Sequence, residues 1–94
     1  MNLIEAIIHQ DVNAVRQLLE QGVNPNACQD NANVTPLHFA ALHNALEIVP
    51  LLITAGANLH AQTYPEGQTP LDIAKLHKHQ DMVKLLSDFN MKCQ

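Results

Sequence analysis

Thr35-Pro36-Leu37-His38-Phe39-Ala40-Ala41-Leu42-His43 and Thr69-Pro70-Leu71-Asp72-Ile73-Ala74-Lys75-Leu76-His77 are one pattern met twice, 34 residues apart. Subtracting 34 once more places Leu3 under Leu37, and the register then runs through the chain without a gap. Ala6, Ala40 and Ala74 align, as do Val15, Val49 and Val83, and Leu18, Leu52 and Leu86. Gly22 aligns with Gly56, and Asn90 takes the next place. A fixed period of this size means a stack of small units, none of which can bury its apolar face alone.

Each copy carries the punctuation of two short helices. Thr35 and Thr69 are good N-caps, and Pro36 and Pro70 suit the first helical position, where no backbone donor is required. Asp72 stands three residues after Thr69, the spacing of a capping box, and His38 can reciprocate with Thr35 in the same way. In the second copy the next helix is expected from Leu46 to Thr54, with Ile48, Val49, Leu51, Leu52 and Ile53 dense enough for burial between neighbours. Gly56 is expected to stop it in a left-handed cap, and Asn90 to do so in the third copy. Asn33 and Gly67 occupy matching loop positions, and both residue types accept positive φ, so a tight turn is expected there. Small residues such as Ala40 and Ala41 let adjacent hairpins approach closely, and the expected product is an elongated stack with a narrow core.

Composition agrees. Apolar residues make up 47% of the 94, yet there are only one Tyr, two Phe and no Trp, so Ala, Leu, Ile and Val dominate, a helix-rich mixture. The whole net charge of −4 lies in residues 1–62, where Glu5, Asp11, Glu20, Asp30 and Glu47 face only Arg16. Residues 63–94 balance Glu66, Asp72, Asp81 and Asp88 with Lys75, Lys78, Lys84 and Lys92. An acidic front half repels phosphate backbones, so a nucleic-acid partner is not expected. No segment reaches the roughly 20 apolar residues of a membrane span, and no signal peptide is read at the N-terminus. Cys28 and Cys93 stand in no metal-like spacing and read as free thiols of a reducing compartment, hence a cytoplasmic protein.

These residues resemble the ankyrin repeat. The second copy, TPLHFAALHNALEIVPLLITAGANLHA, matches the family pattern nearly throughout, the third matches until its end, and the first is a looser, cap-like version without the Thr-Pro opening. The resemblance implies an all-α fold: a short solenoid of three helix-turn-helix hairpins with tight inter-repeat turns. It makes residues 1–94 a single domain, with repeats at about 1–29, 30–63 and 64–94. Three departures stand out. The glycine that the family places between its two helices is replaced by Gln10, Asn44 and Lys78, of which only Asn is comfortable in a left-handed turn. Pro50 falls inside a helix, tolerable only in its first turn. Ile4 and Ile7 stand where an end cap should be polar, so either the chain covers them or they form an apolar end for self-association.

The family usually contacts partners through the concave side. Carried to this register, that implies Ile8, His9, Leu42, His43, Leu76 and His77 on the first helices. The turn tips add Asn31, Ala32 and Val34 in one loop and Pro65, Glu66 and Gln68 in the next, with Cys28, Gln62 and Tyr64 beside them, Tyr64 being the best single anchor candidate. The alternative for Ile8, Leu42 and Leu76 is that they merely pack against neighbouring loops. His9, His43 and His77 form a ladder, but packed helices lie roughly 8–10 Å apart while ligands must sit about 2 Å from a shared zinc. No metal or other cofactor is therefore expected. His38 and Asp72 sit at helix starts, where capping explains them, and no nucleophile–base pair or phosphate-cradling loop is readable.

The expected function is a non-enzymatic protein-interaction module acting through that concave strip. The alternative is a dedicated inhibitor, immunity-like or antitoxin-like, that blocks one enzyme or toxin; a 94-residue chain opening on Met1 is expected to be a complete small protein. A monomer is expected, with weak homodimerisation through Ile4 and Ile7 or through Phe89-Asn90-Met91 as the alternative.

Overall fold

A computed structural model describes residues 2–28 and 33–92. Its helices are α1 (Leu3–Ile8), α2 (Val12–Glu20), α3 (Pro36–Leu42), α4 (Ile48–Thr54), α5 (Pro70–Leu76) and α6 (Gln80–Lys92), with no strand among the described residues. They form three hairpins, α1–α2, α3–α4 and α5–α6, and α1, α3 and α5 stack in one layer with α2 against α4 behind. The principal extents are 29, 27 and 25 Å. The expected elongated stack is thus not found. Three repeats at roughly 10 Å each are about as long as one hairpin is tall.

The core is a single cluster running through all three hairpins, from Leu3 and Ile7 through Leu37, Ile48 and Leu52 to Met82 and Leu86. Ala6, Ala40, Ala41 and Ala74 have no exposed surface, which is the close approach that small side chains permit. Ile4 and Ile7 are 5% and 0% exposed, so the chain itself covers them, and Ile4 lies beside Val23, Ala27 and Pro36. Ile4 and Ile7 therefore present no apolar end for self-association.

Both Thr-Pro openings form complete capping boxes. Thr69 N–H donates to Asp72 Oδ2 and Asp72 N–H to Thr69 Oγ1, each at 3.1 Å. Thr35 N–H donates to His38 Nδ1 at 3.0 Å, and His38 N–H to Thr35 Oγ1 at 3.4 Å. Helix α4 starts two residues later than the sequence suggests, because Leu46 and Glu47 are spent on the turn that brings Ile48 N–H onto the Ala45 carbonyl at 3.1 Å. Pro50 is therefore the third residue of α4, where first-turn donors have no partner in the helix and the missing N–H does no harm. Gly22 and Gly56 end their helices at φ of 91° and 105°, as expected. Asn90 does not: it continues inside α6, with its side-chain oxygen buried and without a partner among the described residues. Asparagine accepts the helical region as well as the left-handed one, and continuing the helix packs Phe89 against the core.

The inter-repeat loops are stapled across copies. Asn26 donates through Nδ2 to the Gly56 carbonyl at 3.0 Å and accepts from Asn58 N–H through Oδ1 at 2.7 Å. Asn33 and Gly67 take the positive φ expected of them, 57° and 69°.

The three turns between paired helices are all left-handed, with Gln10, Asn44 and Lys78 at φ of 53°, 54° and 59°. A side chain other than Gly or Asn meets the following carbonyl in that region, at roughly 1–2 kcal/mol. Gln10 recovers part of this by donating from Nε2 to the His43 carbonyl at 3.2 Å. Lys78 makes no such bond among the described residues. Lys78→Gly is therefore expected to raise stability by about 1 kcal/mol in urea unfolding. Gln10→Gly should gain less than half of that, since a bond worth about 1 kcal/mol goes with it. Equal gains would show that the Gln10 bond contributes nothing.

Candidate partner-binding strip

The first helices end in three turns held side by side by two bonds between copies. Gln10 reaches from the first turn to the His43 carbonyl at the second. From the third turn, His79 Nδ1–H reaches the Ala41 carbonyl near the end of α3, at 3.1 Å. Ala41 lies in the last turn of α3 and His43 is its C-cap, and the Ala41 carbonyl also accepts from Asn44 N–H at 3.4 Å. The three turns are thus one rigid row rather than three independent tips.

On that row stand the large apolar side chains singled out from the sequence. Ile8 is 43% exposed, Leu42 36% and Leu76 64%, and none belongs to the buried core. His9 and His77 beside them are exposed and His43 is half-buried. His77 stacks on His79 with ring centroids 6.0 Å apart.

The second group of candidates sits on the loop between the second and third hairpins. Thr63 and Gln68 pinch it closed: Thr63 N–H donates to the Gln68 carbonyl at 2.9 Å, and Gln68 N–H to Thr63 Oγ1 at 3.1 Å. Tyr64, Pro65 and Glu66 project between them, with Tyr64 67% exposed. Gln68 is half-buried and holds the loop through its backbone, as a structural residue as much as a surface one. Val34 is half-buried as well, Cys28 and Gln62 are exposed, and Asn31, Ala32 and Cys93 lie outside the described residues.

His38 anchors this loop. Its ring is fully buried, Nδ1 accepts from Thr35 N–H, and Nε2–H donates to the Gln68 carbonyl at 2.8 Å. Those two partners select the neutral Nε2–H tautomer. Neither His38 nor Asp72 is free for catalysis, since capping engages both. Among the described residues, no three His, Cys, Asp or Glu side chains gather as a metal site, and no helix is long and apolar enough to cross a membrane.

A family model of ankyrin repeats, in three copies, matches residues 3–94. The chain belongs to the ankyrin repeat family. Ankyrin repeats are generally protein-interaction modules rather than enzymes. Among curated proteins, the 2-5A-dependent ribonuclease of Mus musculus is 51% identical over 39 residues, which is 42% of this chain. The matched stretch spans 5% of that relative's length, a share that carries none of its ribonuclease activity across.

In this ankyrin domain the sequence marks the apolar residues of the strip but not the ties between turns. Gln10 and His79 were visible only as departures from a glycine turn and as one histidine among six. Their partners are backbone carbonyls more than 30 positions away, and a carbonyl has no sequence signature.

Burial pushes the His38 imidazole below its usual 6.5, and the carbonyl bonds with Gln68 and Ala61 only partly oppose this. The unfolded chain then takes up the proton first, so stability from this group is complete above the unfolded value and drains away as pH falls toward the folded one. Urea unfolding of the wild type should weaken between pH 7 and 5, by at most about 1.4 kcal/mol per pH unit from this residue. The slope should flatten in His38→Gln, and an unchanged slope would remove His38 as its source.

Proposed function

We propose that this ankyrin domain is a non-enzymatic binding module that holds a partner protein along the row of Ile8-His9, Leu42-His43 and Leu76-His77, flanked by Val34, Tyr64, Pro65, Glu66 and Gln68. The observation that carries the reading is the exposure of three large aliphatic side chains at equivalent places on turns tied rigidly together. Exposed apolar residues on a pre-organised surface favour association, because little conformational freedom is lost when a partner covers them. Tyr64, an aromatic side chain with a polar tip on a pinched loop, is the best single anchor.

The module acts as a monomer in the cytoplasm. Burial of Ile4 and Ile7 supports the first part, and the free, exposed Cys28 thiol suits a reducing compartment. The outer helices α2, α4 and α6, with Glu47 at the start of α4, carry Glu20, Glu47, Asp81 and Asp88 against Arg16, Lys84 and Lys92. That acidic outer layer favours a second reading, a dedicated inhibitor of one basic target.

Leu42→Glu combined with Leu76→Glu should reduce binding of an affinity-captured partner at least about tenfold by calorimetry, since both side chains lie in the contact. Circular dichroism should be unchanged, as neither packs in the core. Glu47→Lys on the outer layer should leave that affinity within about twofold. The reverse pattern would move the contact to the outer helices and favour the inhibitor reading.

A further inference from the structure

The row of turns is uniform in its apolar residues but not in its charge. At the first turn stands Asp11, the N-cap of α2, with no base, while Glu5 is held by Asn2 at the other end of α1. The second, Ala41-Leu42-His43-Asn44-Ala45, carries no formal charge. The third is Lys75-Leu76-His77-Lys78-His79, where the first four are all exposed. Lys75 and Lys78 lie within one turn of backbone, with Lys78 N–H on the Lys75 carbonyl at 3.1 Å. Between them stands Leu76, the most exposed of the three strip aliphatics.

Neither ammonium group has an internal partner among the described residues. Asp72 is held by Thr69 at the opposite end of α5, and Asp81 lines a hollow with Leu46, Lys84, Leu85 and Asp88. Lys75 also occupies the place where the first two copies bury Ile7 and Ala41 completely. Its charge is therefore no remnant of packing. The residue is not needed to build the stack, and Lys78 sits in a left-handed conformation that glycine would adopt more readily.

We propose that the third turn is the anchoring end of the strip, and that it takes an acidic segment of a partner protein bearing a large aliphatic side chain to cover Leu76. This rests on the reading of the strip as a partner-binding surface. Two unpaired lysines around an exposed leucine fit carboxylates on both sides of an apolar residue, and complementary charge steers and orients such a segment more than it holds it. Asp11 at the first turn repels the same segment, so the row also fixes its direction.

The test is selection of random dodecapeptides on the immobilised full chain, with Lys75→Glu/Lys78→Glu and Leu42→Glu as parallel baits. The proposal expects wild type to enrich peptides with Asp or Glu flanking Leu, Ile or Met. The double charge variant should bind them at least about tenfold more weakly, and added salt should slow association to wild type. Circular dichroism of both variants should match wild type. Enrichment of neutral or basic peptides that are lost on Leu42→Glu would overturn this inference and leave the strip standing. If no selected peptide is lost on Leu42→Glu, the strip itself fails. Binding to phosphatidylserine vesicles, with no acidic peptide enriched, would assign the lysines to a lipid surface. A dimer by sedimentation that Lys75→Glu/Lys78→Glu dissociates would assign them to a second copy. Either of these overturns the proposal.

Discussion

The close contact between successive first helices is the constraint on which the rest of the molecule depends. Ala6, Ala40 and Ala74 are fully buried at equivalent places, and no larger side chain would let α1, α3 and α5 lie so near one another. That proximity brings Gln10 within reach of the His43 carbonyl and His79 within reach of the Ala41 carbonyl. It also sets the fully buried His38 under the loop of the following copy, where its ring meets the Gln68 carbonyl. A short repeat array has little core per unit, and here polar ties between copies add to the apolar ones.

Those ties explain how the chain tolerates turns that look unfavourable. A left-handed glutamine is a poor choice in isolation, but its side chain closes a bond that glycine could not make. The third turn has the opposite balance: Lys78 is left-handed without that compensation, and His79, one position on, makes the tie instead. Conflict between local preference and the fold tends to collect where a protein does something besides fold. The strained lysine, its neighbour Lys75 and exposed Leu76 all stand at that one place.

Much of the fold was legible because its determinants are local. Thr-Pro with His or Asp three residues on is a helix start whatever surrounds it, and both capping boxes form. Pro50 required a late helix start, and α4 begins where that condition is met. One misreading fell on a residue without such a demand. Asn90 can be helical or left-handed, and packing of Phe89 settled the matter. For Ile4 and Ile7 the sequence left two outcomes open, cover by the chain or an apolar end, and burial decides for the first, with Ile4 beside Val23, Ala27 and Pro36.

By itself, then, the sequence determined the number of units, their helical character, their ends and which side chains are left over from building the stack. It could do so because a 34-residue period repeats the same local chemistry and separates shared residues from unshared ones. Only the tertiary structure decided that Ile8, Leu42 and Leu76 are exposed on one rigid row, and that charge changes sign along it. Those properties depend on which backbone carbonyl lies opposite which side chain in the next copy. The distances that decide this arise only when the repeats have packed.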